Sequence, residues 1–279
     1  MRLLTTIAEA RAARRELRSA GKTLGLVPTM GALHPGHLAL VDAAMAACDE
    51  VLVSIFVNPT QFGPREDLNR YPHDLDGDCA ILDEAGVELV FAPAVEEMYP
   101  SGSNTFVEVA GLSDRLDGAS RPGHFRGVAT VVAKLLQIVQ PDRVFFGQKD
   151  AVQVAVLKRM MLDLDIDVGF EVCPIVRDAD GLAFSSRNRY LSPEERRRAL
   201  VLPRSLEAVR SLAAAGESQS QVLTAEAMRI LAREPQVKLD YFAIVDPNTL
   251  DDIAGIGSGA LVAIAAFVGT TRLIDNILL

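Results

Sequence analysis

Apolar and polar positions switch between two periods along most of the chain. TLGLV (Thr23–Val27) is a short apolar run and predicts a strand. HLALVDAAMAAC follows with helical spacing through Leu38, Val41 and Met45. VLVSIFV (Val51–Val57) is apolar throughout, as in a strand covered on both faces. Turn-rich NPTQFGPREDLNRYP leads to a helical DLDGDCAILDEAG and then to VELVFAP, a third strand. FRGVATVVAKLLQIVQ predicts a long buried helix, Arg143–Gly147 a fourth strand, AVQVAVLKRMMLDLD a helix and DVGFEVCPIV a fifth strand. Ahead of these, MRLLTTIAEARAARRELRSAGK has spaced apolar residues and late arginines. That is the pattern of an amphipathic helix, not of a secretory signal. The alternation predicts an α/β fold, a Rossmann-like doubly wound parallel sheet.

The pattern changes near Val176. Ser192, Pro193 and Glu195 open a helical segment with a capping box. YFAIVD, ALVAIAAFV and RLIDNILL then predict strands with shorter connections. We therefore expect one domain over residues 1–175 and a smaller C-terminal α+β domain over 176–279, the second closing over the first.

Composition narrows the classes. With 279 residues, 49% of them hydrophobic, the chain can bury a large core. Its net charge of −9 (28 Lys and Arg against 37 Asp and Glu) argues against a nucleic-acid surface. It leaves room for a locally positive pocket. No apolar run approaches the roughly 18 residues of a membrane span. Cys48, Cys79 and Cys173 are far apart and form no CxxC, so a reducing cytoplasm is expected rather than a disulfide framework.

In an open parallel sheet, ligands bind beyond the carboxyl ends of the strands. Three polar segments fall there or at the domain junction. The first is VPTMGALHPGH, where His34 and His37 flank a predicted helix start at Pro35 and Gly31 and Gly36 allow close approach. Unpaired N–H groups and the helix dipole suit an anion there. The second is FFGQKDAVQ: Lys149 is a mobile charge suited to phosphate, Asp150 could cap a helix or accept from a ribose hydroxyl, and Gln153 lies a turn further on. The third is DGLAFSSRNRYLS, in which an Asp180-Gly181 turn precedes the donors Ser185, Ser186 and Arg187.

Each segment alone has a plain alternative: a helix cap, a solvated helix start, an ordinary loop. The same holds for Asn58 and Gln61, and for Arg121 and His124 ahead of their helix. Asp74, Asp76 and Asp78 alternate like calcium ligands, but the rest of that loop pattern is missing, so a solvated face is expected. A zinc site would need a third ligand near the histidine pair, and none is apparent, so no protein-held metal is expected. Gly21-Lys22-Thr23 precedes its strand, and Gly255–Ala260 is not GxGxxG, so P-loop and dinucleotide motifs fail. Together the three donor segments favour a nucleotide polyphosphate.

PTMGALHPGH resembles the HxGH signature of the nucleotidyltransferase superfamily that includes class I aminoacyl-tRNA synthetases, and FSSR stands where that superfamily has a KMSKS-like loop. The ordered set PTMGALHPGH, FVNPTQF, RPGHFRGVATVV, FGQKD and DGLAFSSRN resembles the pantothenate synthetase family, from about Leu24 to Asn188. The resemblance implies ATP-dependent condensation of pantoate with β-alanine through pantoyl adenylate, releasing pyrophosphate and AMP. It implies catalytic roles for His34, His37, Lys149, Ser185, Ser186 and Arg187. ATP would also contact Met30, Gly31, Ala32, Leu33, Pro35, Gly36, Gly147, Gln148, Asp150, Val176 and Phe184. Gln61, Gln153, Asn58 and Arg121 would hold the other substrates. Mg²⁺ would ride on the ATP phosphates, and the protein would be a cytoplasmic homodimer. Phe184 stands where relatives often have Met, Gln148 where they often have Glu, and Ala151-Val152 replaces a more polar or aromatic pair.

Overall fold

The computed structural model describes residues 1–64, 68–257 and 259–279. Its elements run β1 (Arg2–Leu4), α1 (Ile7–Ser19), β2 (Leu24–Thr29), α2 (Pro35–Ala47), β3 (Glu50–Ile55), α3 (Leu75–Glu84) and β4 (Leu89–Phe91). The short α4 (Val95–Met98) and α5 (Asp117–Ser120) precede α6 (His124–Val139), β5 (Arg143–Gly147), α7 (Ala151–Asp163) and β6 (Gly169–Cys173). Then come α8 (Pro193–Ala199), α9 (Val201–Ala214), α10 (Ser220–Leu231), β7 (Val237–Val245), β8 (Leu261–Val268) and β9 (Thr271–Leu278).

Six parallel strands form the main sheet in the order β1-β4-β3-β2-β5-β6, and β7-β8-β9 form a separate antiparallel sheet. The five strands expected in the first part are all present. The sixth, β1, corrects the expectation that the N-terminus is helical from its start. Arg2–Leu4 pairs in register with Leu89–Phe91, and the helix begins only at Ile7. Thr6 caps it: its hydroxyl accepts from Glu9 N at 3.2 Å, and Glu9 accepts from Thr6 N at 2.9 Å. Three residues are too few to display a period of two.

The unbroken apolar runs follow from burial on both faces. Leu24, Leu26, Leu52, Phe91, Val144 and Phe146 pack into the core shared with α1, α6 and α7. Val27, Val53, Val90 and Phe145 face the opposite core, with Leu40, Val41 and Ala44 of α2 and Leu82 of α3. Leu38 and Met45, expected on the buried stripe of α2, are only half-buried. That helix is apolar almost all round, so periodicity could not select its inner face. β8 repeats the two-faced arrangement: Leu261 and Ala263 join the first core, while Val262, Ile264, Ala266 and Val268 pack with α9 and α10.

Two contacts fix the frame around the strand ends. Below the sheet, buried Arg14 of α1 donates to Gln140 O at 2.8 Å and to the Asp142 carboxylate at 3.1 Å, and that carboxylate also accepts from Leu24 N. Above it, α6 lies directly on the Pro59–Gln61 turn. A Cβ at Gly127 would stand 2.4 Å from Thr60 O and 2.7 Å from Gln61 Cα, so only glycine permits the approach. Gly127→Ala should therefore separate the helix from the turn and cost about 2 kcal/mol or more. Urea unfolding, compared with the wild type, measures the loss.

Candidate active site

The strand order reverses direction between β2 and β5, which run side by side. A doubly wound sheet opens a crevice at such a point, beyond the carboxyl ends of those two strands. VPTMGALHPGH leaves the end of β2 and FGQKD leaves the end of β5, so the fold brings together the first two donor segments.

The turn after β2 is held by an unexpected residue. Gly31 and Ala32 both have left-handed backbone, φ 78° and 51°. Asp78 of α3, 4% exposed, accepts from Ala32 N and Leu33 N, each at 2.8 Å. Asp78 is thus not on a solvated face, as its alternation with Asp74 and Asp76 suggested; it is the buried clamp of the loop. A Cβ on Gly31 would lie 2.7 Å from its carboxylate. Asp74, in contrast, caps α3 by accepting from Gly77 N.

The clamp also alters the anion site. Gly31 N donates to the Thr29 hydroxyl, and Gly36 N donates to His34 Nδ1 at 3.1 Å. The N–H groups of Gly31, Ala32, Leu33 and Gly36 are therefore already engaged within the protein. The expectation of several free backbone donors at this helix start gives way to a set made mainly of side chains.

His34 is the N-cap of α2, and its ring stacks on His37 with centroids 4.0 Å apart. Because His34 Nδ1 accepts from Gly36 N, its proton sits on Nε2 when the ring is neutral. His37 Nδ1 is buried without a hydrogen-bond partner among the described residues. An unpaired lone pair costs less there than an unpaired N–H, which also favours a proton on Nε2. Burial, and next the Lys149 ammonium, push His34 down to about 4. Burial, and next His34 itself, push His37 down to about 3. Both rings are neutral N–H donors at pH 7.

Lys149 Nζ lies 3.4 Å from Asp150 Oδ1. Asp150 begins α7 but makes no side-chain cap, so its carboxylate is turned to Lys149 and not to the helix. The third donor segment emerges from a hairpin-like turn in which Arg177 bridges Ala183 and Phe184 N donates to Val176 O at 3.0 Å. Gly181, at φ 92°, makes the turn. Phe184 then stacks 6.2 Å from His34, and Ser185 caps the Ser186–Tyr190 turn by accepting from Arg187 N. As an acceptor there, the Ser185 hydroxyl keeps its proton for another partner.

A cavity of about 630 Å³ is lined by Arg121, His124, Lys149, Asp150, Gln153, Ser185 and Arg187, and walled by Thr271–Asp275 of β9. His34, His37, Asn58 and Gln61 do not line it. The histidines adjoin it through Lys149 and Asp150, whose charges act on both rings. Gln61 adjoins it through His124, whose Nδ1 is 2.8 Å from Gln61 O and whose Nε2 is 2.8 Å from Arg121 Nη1. Arg121 can only donate, so His124 accepts at Nε2 and donates from Nδ1 to Gln61 O. His124 was not expected in a functional role; its signal was only its place between Arg121 and α6.

Asn58, expected to touch substrate, has its amide engaged internally. Its Nδ2 donates to Gln61 Oε1 and Gly127 O, both at 3.1 Å, and its Oδ1 accepts from the Thr60 and Tyr99 hydroxyls at 2.8 and 3.0 Å. It holds Gln61. Among the described residues Gln61 Nε2 meets only the thioether of Met30, at 2.8 Å, a weak acceptor that a substrate oxygen can displace.

A doubly wound sheet with a histidine-capped helix and cationic turns at its switch point is the framework of a nucleotide-dependent transfer enzyme. The model of the pantoate–β-alanine ligase family matches residues 2–278. The pantothenate synthetase of Acidobacterium capsulatum is 60% identical, covering all of this chain and 97% of its own length. That of Koribacter versatilis is 57% identical, covering all of this chain and 96% of its own. The crystal structure of pantothenate synthetase from Thermus thermophilus superposes with a TM-score of 0.94 at 50% identity over 99% of both chains. The chain belongs to the pantoate–β-alanine ligase family, whose reaction is the ATP-dependent condensation of pantoate with β-alanine. A further structure, the Francisella tularensis ligase complexed with beta-gamma ATP and β-alanine, is 34% identical with a TM-score of 0.81, over all of this chain and 97% of its own.

The neutral histidines predict a pH dependence. Rings that stay neutral in the fold but protonate when unfolded contribute stability above the ordinary value of 6.5 and lose it as pH falls toward about 4. NMR titration of the free protein should show neither His34 nor His37 protonating between pH 5 and 8. Added polyphosphate should raise both values, because an anion favours the imidazolium.

Proposed function

We propose that this chain makes pantothenate in two half-reactions at the β2–β5 crevice. In the first, a pantoate carboxylate oxygen attacks the α-phosphorus of ATP. The bond to the bridging oxygen breaks, and pyrophosphate leaves with the electron pair. In the second, the β-alanine amine attacks the acyl carbon, loses its proton, and AMP departs with the ester oxygen. No protein nucleophile is required. The work is to align two anions and to offset the charge that builds on the phosphate oxygens.

The observation that carries this reading is the convergence of Lys149, Ser185 and Arg187 on one cavity with Gln153 and Arg121. Lys149, Ser185, Ser186 and Arg187 take the triphosphate, with His34 and His37 donating from Nε2 as neutral groups. Met30 to His37, Gly147 to Asp150, Val176 and Phe184 frame the nucleotide. Gln61 and Gln153 hold pantoate through neutral amides, which bind a hydroxyl or carboxylate without burying a further charge. Arg121 offers a cation to a second carboxylate, such as that of β-alanine. The Francisella relative's complex supports two of these ligands.

Mg²⁺ would reside on the β- and γ-phosphates and supply charge neutralisation there. The residues fit that arrangement: Lys149, Ser185, Ser186 and Arg187 are hydrogen-bond donors to phosphate oxygens and would leave the remaining oxygens to the cation. Residues 1–175 would form the nucleotide-binding domain and 176–279 the smaller domain that closes over it. We further propose a cytoplasmic homodimer; among the described residues no helix is long and apolar enough to cross a membrane.

ATP–pyrophosphate exchange that depends on pantoate and proceeds without β-alanine tests the two-step route; no exchange by folded protein would reject it. His37→Ala and Lys149→Ala should each lower the exchange rate by roughly 10²-fold or more, as for loss of a preorganised donor. Wild-type rates in either variant would remove that residue from the mechanism. Light scattering should give twice the 30.0 kDa chain mass.

A further inference from the structure

The two cationic turns come from different parts of the fold, β5–α7 and the hairpin after β6, and β9 touches both. Asp275 and Asn276 are neighbours on that strand, 3% and 2% exposed. The Asp275 carboxylate accepts a bidentate pair from Arg177, at 2.7 and 2.8 Å. Arg177 also donates to Gly181 O at 3.1 Å, within the hairpin that leads to Ser185–Arg187. Asn276 Nδ2 donates to Gln148 O at 3.0 Å and Lys149 O at 2.9 Å, and its Oδ1 accepts from Gln148 Nε2 at 3.0 Å. Asp275 Oδ1 in addition accepts from the backbone Asn276 N at 2.8 Å, fixing the carboxylate to the strand beside Asn276.

We propose that Asp275 and Asn276 are positioning residues for the triphosphate: a two-residue strap that sets the distance between Lys149 and the Ser185–Arg187 turn. Plain attachment of a strand would need only apolar contact, which β9 already makes through buried Leu273 and Ile277. The polar pair instead ends on the two turns that carry the donors. Arg177–carboxylate bonds are directional and Asn276 fills two carbonyls at once, so neither turn can shift without breaking several bonds. A donor displaced by about 1 Å loses much of its value to a transition state.

This inference rests on the reading that both turns bind ATP, and the test separates the two. Pantoate-dependent ATP–pyrophosphate exchange is measured for wild type, Asn276→Ala and Arg177→Lys, and again in Lys149→Ala and Arg187→Ala backgrounds respectively. Arg177→Lys keeps the charge but loses the bidentate bond. Each single variant should lower kcat/KM for ATP by about ten-fold while KM for pantoate stays within about two-fold. In its matched background each should lose less than about two-fold more, because the donor it positions is gone. Losses that are equal in both backgrounds, or that fall equally on pantoate, would make the pair structural and overturn the proposal. Unchanged kinetics would do the same. If Asn276→Ala gives no cooperative melting transition, Arg177→Lys, at a partly exposed side chain, decides alone. A wild type without exchange would reject the site reading and this inference with it, whereas exchange with additive losses rejects only the strap.

Discussion

A parallel sheet that changes winding direction cannot cover its own upper edge between the two diverging strands. Here those strands are β2 and β5, and the crossovers on either side lead away from the gap. The placement of the candidate site follows from that opening. The turn after β2 and the turn after β5 are forced into proximity because their strands are hydrogen-bonded neighbours, paired at Gly25–Arg143 and Leu26–Val144. The hairpin after β6 arrives beside them because β6 is the next strand out. The antiparallel sheet then supplies β9 as the outer wall.

The strand pattern was legible because each strand of the main sheet except β1 lies in a longer apolar run; β4 pairs over only three residues but sits inside VELVFAP. The candidate donors were legible too, since His34, His37, Lys149 and Ser185–Arg187 all stand just past strand ends or at a junction. What escaped was the residues that hold them. Asp78 looks like any acid in the first turn of a helix; only the fold turns it inward onto Ala32 N and Leu33 N. Asn58 looks like a ligand for substrate, yet its bonds are spent on Gln61 and α6. Periodicity reports which face is apolar, not which acid in a helix's first turn will meet a backbone group 45 residues away.

The site is built in two layers with different chemistry. The inner layer is neutral or backbone-directed: His34 on Gly36 N, Asp78 on the β2 turn, His124 on Gln61 O. The outer layer is cationic, and its Lys149 is only loosely paired to Asp150 at 3.4 Å. Rigid groups thus set the shape of the crevice, while the proposed phosphate contact falls to a long flexible side chain.

The unprotonated state of His34 and His37 bears on how the enzyme lets go. Had both rings been imidazolium, the crevice would have added two fixed positive charges to those of Lys149 and Arg187. Pyrophosphate would then leave a deep electrostatic well. With rings that give up their protons well below neutral pH, attraction comes instead from oriented N–H dipoles, whose pull fades quickly with distance. In the proposed role of the pair, a departing anion escapes such dipoles within a few ångströms, so rings that hold the phosphate in place need not slow its release.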